Sequence, residues 1–229
     1  MRCVGVIVLW LIVYGCSAQF GIRAQYGLSD ATNWEQLVQQ TRQFTDTRFF
    51  GSGYTIGVDY WLRLPQNRIE FYPEIRYSRY KTSAQLIALS QDIEVNSSSL
   101  GLVLNTHFYF LDFFGDCDCP TFSKRGGLVK KGFFLSLHPG VYYHKKSSDF
   151  ALGQLDSVSP QIGIGAGLDI GVSNLITVSP TIQYSFGFND TLDGAAALIS
   201  VPEFQNLESA TFRQFLFGLR VGLRPDYKN

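Results

Sequence analysis

The chain has 229 residues, with 19 Lys plus Arg against 19 Asp plus Glu, and is 45% hydrophobic and 15% aromatic, with 22 Gly and one Met. The neutral balance excludes the strong basic field of a nucleic-acid binder, and four cysteines in this length exclude a disulfide scaffold. Aromatic and Gly enrichment with scant Met favours β structure.

The chain opens on Arg2, an apolar run from Cys3 to Val13, and then Tyr14-Gly15-Cys16-Ser17-Ala18. That charged, apolar, small-residue order is a secretory signal over residues 1–18, with cleavage after Ala18. The run falls short of the roughly 20 residues a spanning helix needs. Lipoprotein processing at Cys16 is the alternative, and Tyr14 fits it poorly. Without Arg2, 18 basic residues face 19 acidic ones, and only Cys117 and Cys119 remain of the cysteines.

From residue 19 onward, apolar residues recur at every second position in long segments. Phe20, Ile22, Ala24 and Tyr26 begin the first predicted strand; Tyr54, Ile56, Val58, Tyr60 and Leu62 mark the second. Leu64-Pro65-Gln66-Asn67 reads as a tight turn. The third sets Ile69, Phe71, Pro73, Ile75 and Tyr77 against Arg68, Glu70, Tyr72, Glu74 and Arg76. The fourth carries Leu100, Leu102, Leu104, Thr106, Phe108 and Phe110, and the fifth Phe133, Leu135, Leu137, Pro139, Val141 and Tyr143. Ile162 to Val172 supply the sixth, and Ser173-Asn174-Leu175 turns it into the seventh, from Ile176 to Phe186. Phe215, Phe217, Leu219, Val221 and Leu223 close the set.

A tilted membrane strand takes about 9 to 11 residues, and these segments reach that length, whereas soluble strands peak near 5 or 6. Long connections (28 to 48, 81 to 95, 147 to 157, 189 to 209) alternate with tiny turns at 64 to 67 and 173 to 175. This is the asymmetry of outer loops against periplasmic turns. The exception is residues 112 to 131, a long insert on the periplasmic side. A soluble lipocalin-like barrel would alternate equally, with its apolar parity inward. The polar parity here mixes Arg and Glu with Gly, Ser and Gln, which suits a crowded lumen better than a solvated face. The predicted fold is therefore all-β: an eight-stranded antiparallel up-and-down transmembrane barrel over residues 19–229, with lipid as its surroundings.

No constellation reads as catalytic. Arg23, Arg63, Glu70, Glu74, Arg76, His107, His138, Asp169 and Arg220 share the lumen parity and form an expected structural charge network, because buried charges must pair. His107 and His138 beside Glu70 and Glu74 could geometrically form a metal or acid-base cluster, a reading that ranks below the structural one. Cys117 and Cys119, with Asp116 and Asp118, lack the second ligand pair of a zinc site. In an oxidising compartment they read as a local disulfide or as part of a structural insert. Gly163-Ile164-Gly165-Ala166-Gly167 has the wrong spacing for a nucleotide loop and no following helix pattern. Trp34, Leu37, Val38 and Thr41 have helical spacing in the first outer connection. The sequons at Asn96 and Asn189 read as chance matches.

Residues 19 to 27, the run Tyr72-Pro73-Glu74-Ile75-Arg76-Tyr77, and residues 159 to 187 carry a resemblance to the PorT-like and OmpA-like outer-membrane β-barrel domains of Gram-negative bacteria. The resemblance implies an integral outer-membrane protein that meets the barrel-assembly machinery during biogenesis and has a binding, assembly or secretion-accessory role. It implies no cofactor and no catalytic residue. A periplasmic partner at the 112–131 insert is a further expectation. The chain departs from such barrels at its end, where Pro225-Asp226-Tyr227-Lys228-Asn229 trails the last strand in place of a terminal aromatic residue. A barrel enzyme acting on lipid or peptide and a soluble ligand-binding barrel remain the alternatives.

Overall fold

In a computed structural model, residues 19–31, 51–63, 68–86, 91–112, 132–148, 154–173, 175–190 and 210–223 are described. Residues 1–18, the 64–67 turn, the cysteines of the insert, the candidate helix around Trp34, the Asn189 side chain and the C-terminal tail lie outside them.

Eight strands follow the predicted order: β1 (Phe20–Ala31), β2 (Gly51–Tyr60, resuming at Leu62–Arg63), β3 (Ile69–Leu86), β4 (Gln91–Phe108), β5 (Phe133–Leu137 and Gly140–Ser148), β6 (Gln154–Leu168 and Ile170–Gly171), β7 (Ile176–Asp190) and β8 (Ala210–Leu223). Each pairs antiparallel with its sequence neighbour. β8 returns to β1 over twelve pairs, from Phe20 opposite Leu223 to Ala31 opposite Phe212. The sheet is thus closed and leaves no edge within the wall, the condition for a strand protein to cross lipid.

The three interruptions share one cause. Proline has no amide hydrogen, so a ladder bond is missing wherever one sits. β5 breaks at Pro139 itself, although its carbonyl still accepts from Leu104 N at 2.9 Å and the register runs on unchanged. The registers on either side place the β2 break next to Pro73 of β3, and the β6 break next to Pro180 of β7. Pro73, Pro139, Pro160 and Pro180 all point outward. There the lost bond leaves the packed interior undisturbed.

One expectation needs correcting. The sequence reads residues 81 to 95 as a loop, whereas β3 and β4 run 18 residues each and pair continuously from Ile69 opposite Phe108 to Leu86 opposite Gln91. β2 leaves β3 after Lys81, and β5 leaves β4 after Val95. Residues 82–86 and 91–94 therefore continue as a two-stranded ribbon beyond the wall. Eighteen residues make about 60 Å of strand, far more than a barrel's apolar band of roughly 25 Å requires. Polar Thr82, Ser83, Gln85, Gln91 and Asp92 hide the strand periodicity there, because this ribbon has no lipid to face. At the opposite end, Ser173 Oγ accepts from Leu175 N (3.2 Å) and Ile176 N (3.1 Å), which closes the β6–β7 turn.

Candidate functional site: a sealed polar lumen inside an apolar wall

Burial alternates along most of the wall, with local breaks such as the consecutively buried Asn105, Thr106 and His107, and its sense is inverted relative to a soluble barrel. Outward residues include Leu102 at 67% exposure, Val158 at 63% and Ile75 at 60%, whereas the buried set is dominated by Arg, Glu, Asp, His, Ser, Thr, Asn and Gln. In water, an apolar belt of this extent would be a severe aggregation liability. In lipid it is the required surface, and the polar groups find each other inside. The polarity is that of an integral outer-membrane barrel and is the reverse of a lipocalin's.

The lumen network has two layers. The central one is built on Glu74 of β3. Arg76 donates to it twice, Nε to Oε1 at 2.9 Å and Nη2 to Oε2 at 3.0 Å. Asn105 Nδ2 donates to Oε2 at 2.6 Å, and Arg23 Nε lies 3.3 Å from the same oxygen. Arg76 also donates to Asn105 Oδ1 (3.1 Å) and to the Tyr142 hydroxyl (3.2 Å), so one guanidinium ties β3 to β4 and β5. Asn105 Nδ2 further donates to the Tyr72 carbonyl, which fixes the amide's orientation. Its Oδ1 then accepts from His138 Nδ1 at 2.7 Å, and His138 Nε2 accepts from Ser136 Oγ at 2.9 Å.

The second layer closes the end opposite the ribbon. Asp59 of β2 and Arg220 of β8 form a two-pronged pair at 2.6 and 2.8 Å, clasping strands on either side of β1. Tyr109 Oη lies 2.5 Å from Asp169 Oδ2 and 3.0 Å from Glu70 Oε2. Tyr72 Oη donates to Glu70, and Ser179 Oγ to Asp169. Arg220 covers the Tyr72 ring and Arg68 the Tyr109 ring, with Cζ 4.3 and 4.6 Å from the centroids, while Trp61 stacks on Tyr72. A void of about 10 Å³ between Trp61, Glu70 and Asp169 has room for about one water.

Arg23, Glu70, Glu74, Arg76, His107, His138, Asp169 and Arg220 are all buried in this lumen. The Arg63 side chain, Cys117 and Cys119 lie outside the described residues. His107 and His138 do not converge on a common centre: His138 is engaged at both nitrogens, and the His107 ring stacks on Phe134 at 3.9 Å. Among the described residues, no group of three His, Cys, Asp or Glu could hold a metal ion.

Sequence reasoning left Asp59, Arg68 and His144 out of the charge network, although all three are buried and lie on the lumen parity. It also gave no role to Asn105 and Tyr109, whose importance arises from neighbours 30 to 60 positions away. The lumen glycines do have a local explanation. A Cβ on Gly57 would land on the Glu74 carboxylate, and one on Gly167 on the Phe134 ring. Small residues are what let large polar and aromatic side chains cross so narrow an interior.

No family model matches the sequence, and no curated protein matches it. Among solved structures, Neisserial surface protein A is similar at 13% identity and a TM-score of 0.45, covering 90% of this chain and 96% of that one. Ail, the attachment invasion locus protein of Yersinia pestis, is similar at 9% identity and a TM-score of 0.42, covering 90% and 99%. The outer membrane protein OprG of Pseudomonas aeruginosa is similar at 11% and 0.41, covering 91% and 96%.

Proposed function

We propose that this protein is a closed outer-membrane barrel whose task is to hold its outer segments at the cell surface for binding, assembly or secretion support, and not to pass solutes. The observation that carries the reading is the combination of a lipid-compatible wall with a lumen filled by interlocked side chains: Arg23, Asn105, Tyr109 and Phe134 have no exposed surface. An eight-stranded interior is just wide enough for its own side chains. What the wall supports is the β3–β4 ribbon. The PorT-like affiliation belongs to the same proposal and points to the secretion-accessory variant. The lumen carboxylates and histidines act here as structural groups, held by tyrosines, arginines and Asn105.

The test is membrane fractionation with gel electrophoresis before and after boiling, coupled to labelling of a cysteine introduced at Ala84. The expected result is a membrane-bound band whose mobility shifts on heating and a ribbon labelled from outside intact cells. A soluble, heat-insensitive band would refute the membrane barrel. Solute-permeable vesicles containing the folded protein would refute the closed lumen.

A further inference from the structure

Among the described side chains, the exposed face of the wall is mainly apolar and carries five charged residues: Arg79, Lys81, Lys145, Asp156 and Arg213. All five sit toward the end that carries the ribbon, and four are cations. The opposite rim presents Leu62, Phe110, Leu111, Leu135, Val172 and Leu175, with no exposed charge among the described side chains.

The registers place three of the cations together. Tyr54, Arg79, Ser98, Lys145 and Asp156 form one row across β2 to β6, each directly opposite the next. Lys81 stands one row further out, opposite Ser52 and Asn96. Adjacent strands are about 4.8 Å apart, so Arg79 and Lys145 flank Ser98 at roughly 10 Å between backbones. Both side chains are long enough to meet over the serine hydroxyl. The single carboxylate in the row, Asp156, already accepts from Tyr143 Oη at 2.6 Å, and Lys145 lies over the Tyr143 ring at 5.9 Å.

We infer that Arg79 and Lys145, with Ser98 between them and Lys81 above, form a wall-side site for the phosphate of an anionic lipid headgroup in the outer leaflet. This rests on the membrane reading above. Three observations select that partner. The site is on the lipid-facing parity, so its occupant arrives from the bilayer; it lies where the apolar belt ends, at headgroup depth; and its cations match an anion. Exposed Tyr77 and Tyr143 stand one row toward the membrane, and Tyr54 and Tyr26 continue the row itself, as interfacial aromatic residues do. A cation near an anionic membrane surface is worth about 5-fold in binding, so the pair should contribute about 30-fold.

The experiment refolds the full-length mature barrel in detergent with equal amounts of a phosphorylated glycolipid and its dephosphorylated form, and reads bound lipid by native mass spectrometry. The wild type should favour the phosphorylated lipid by about 30-fold, Arg79→Gln/Lys145→Gln should show almost no preference, and Arg213→Gln, three strands away, should behave as the wild type. Equal retention of both lipids by a wild type that still shows the heat-dependent mobility shift would overturn the site and leave the barrel standing. Loss of that shift would overturn the membrane reading itself. Equal loss in Arg213→Gln would overturn the site in favour of diffuse charge, and competition by inorganic phosphate at the lipid's own affinity would overturn the headgroup as partner.

Discussion

Replacing Glu74 by Gln removes the charge at the centre of the lumen without changing its shape, so no cavity term enters. Three donor contacts converge on this carboxylate, and Arg23 stands beside it at 3.3 Å. With the charge gone, Arg23 and Arg76 are two buried cations facing an amide. Breaking a buried ion pair by removing one partner costs about 3–5 kcal/mol, and two stranded cations place this case at about 4 or above. The assay is urea unfolding of the barrel in zwitterionic vesicles, followed by the fraction that keeps the unboiled gel mobility. A loss below about 1 kcal/mol, the range of solvent-exposed pairs, would refute the picture of a dry, interlocked lumen. The triple variant Glu74→Leu/Arg23→Leu/Arg76→Met should recover most of the lost stability, because well-packed apolar residues can replace a buried charged cluster at little net cost.

Leu102→Arg puts a charge in the lipid-facing belt and should cost about 2–4 kcal/mol in vesicles, and an unchanged unfolding midpoint would argue for an exterior in water. Gly57→Val drives a methyl-bearing Cβ into the Glu74 carboxylate and should destabilise by about 1–3 kcal/mol or block refolding, measured by the same gel shift; Ala24→Val, on the outer face, should fold normally. Ser173→Ala removes an acceptor from two amides of an exposed turn and should cost only about 0.5–1.5 kcal/mol by urea titration, with the mobility shift retained.

The period-two pattern by itself determined the eight strands, their order and the lumen parity of Arg23, Glu70, Glu74, Arg76, His107, His138, Asp169 and Arg220. The reason is that a strand's two faces meet different surroundings, and every second residue must suit one of them. The pattern faded wherever the surroundings stopped differing. Residues 82–86 and 91–94 project past the wall, carry no alternation to read, and so looked like loop while forming a ribbon. The tertiary structure alone decided which lumen groups meet. Asp59 and Arg220 are 161 residues apart, and only the closure of β8 onto β1 brings them within 2.6 Å. The pairings of β3 with β4 and of β4 with β5 put Arg79, Ser98 and Lys145 in one row, since register, which no single segment encodes, sets what lies beside what on the wall.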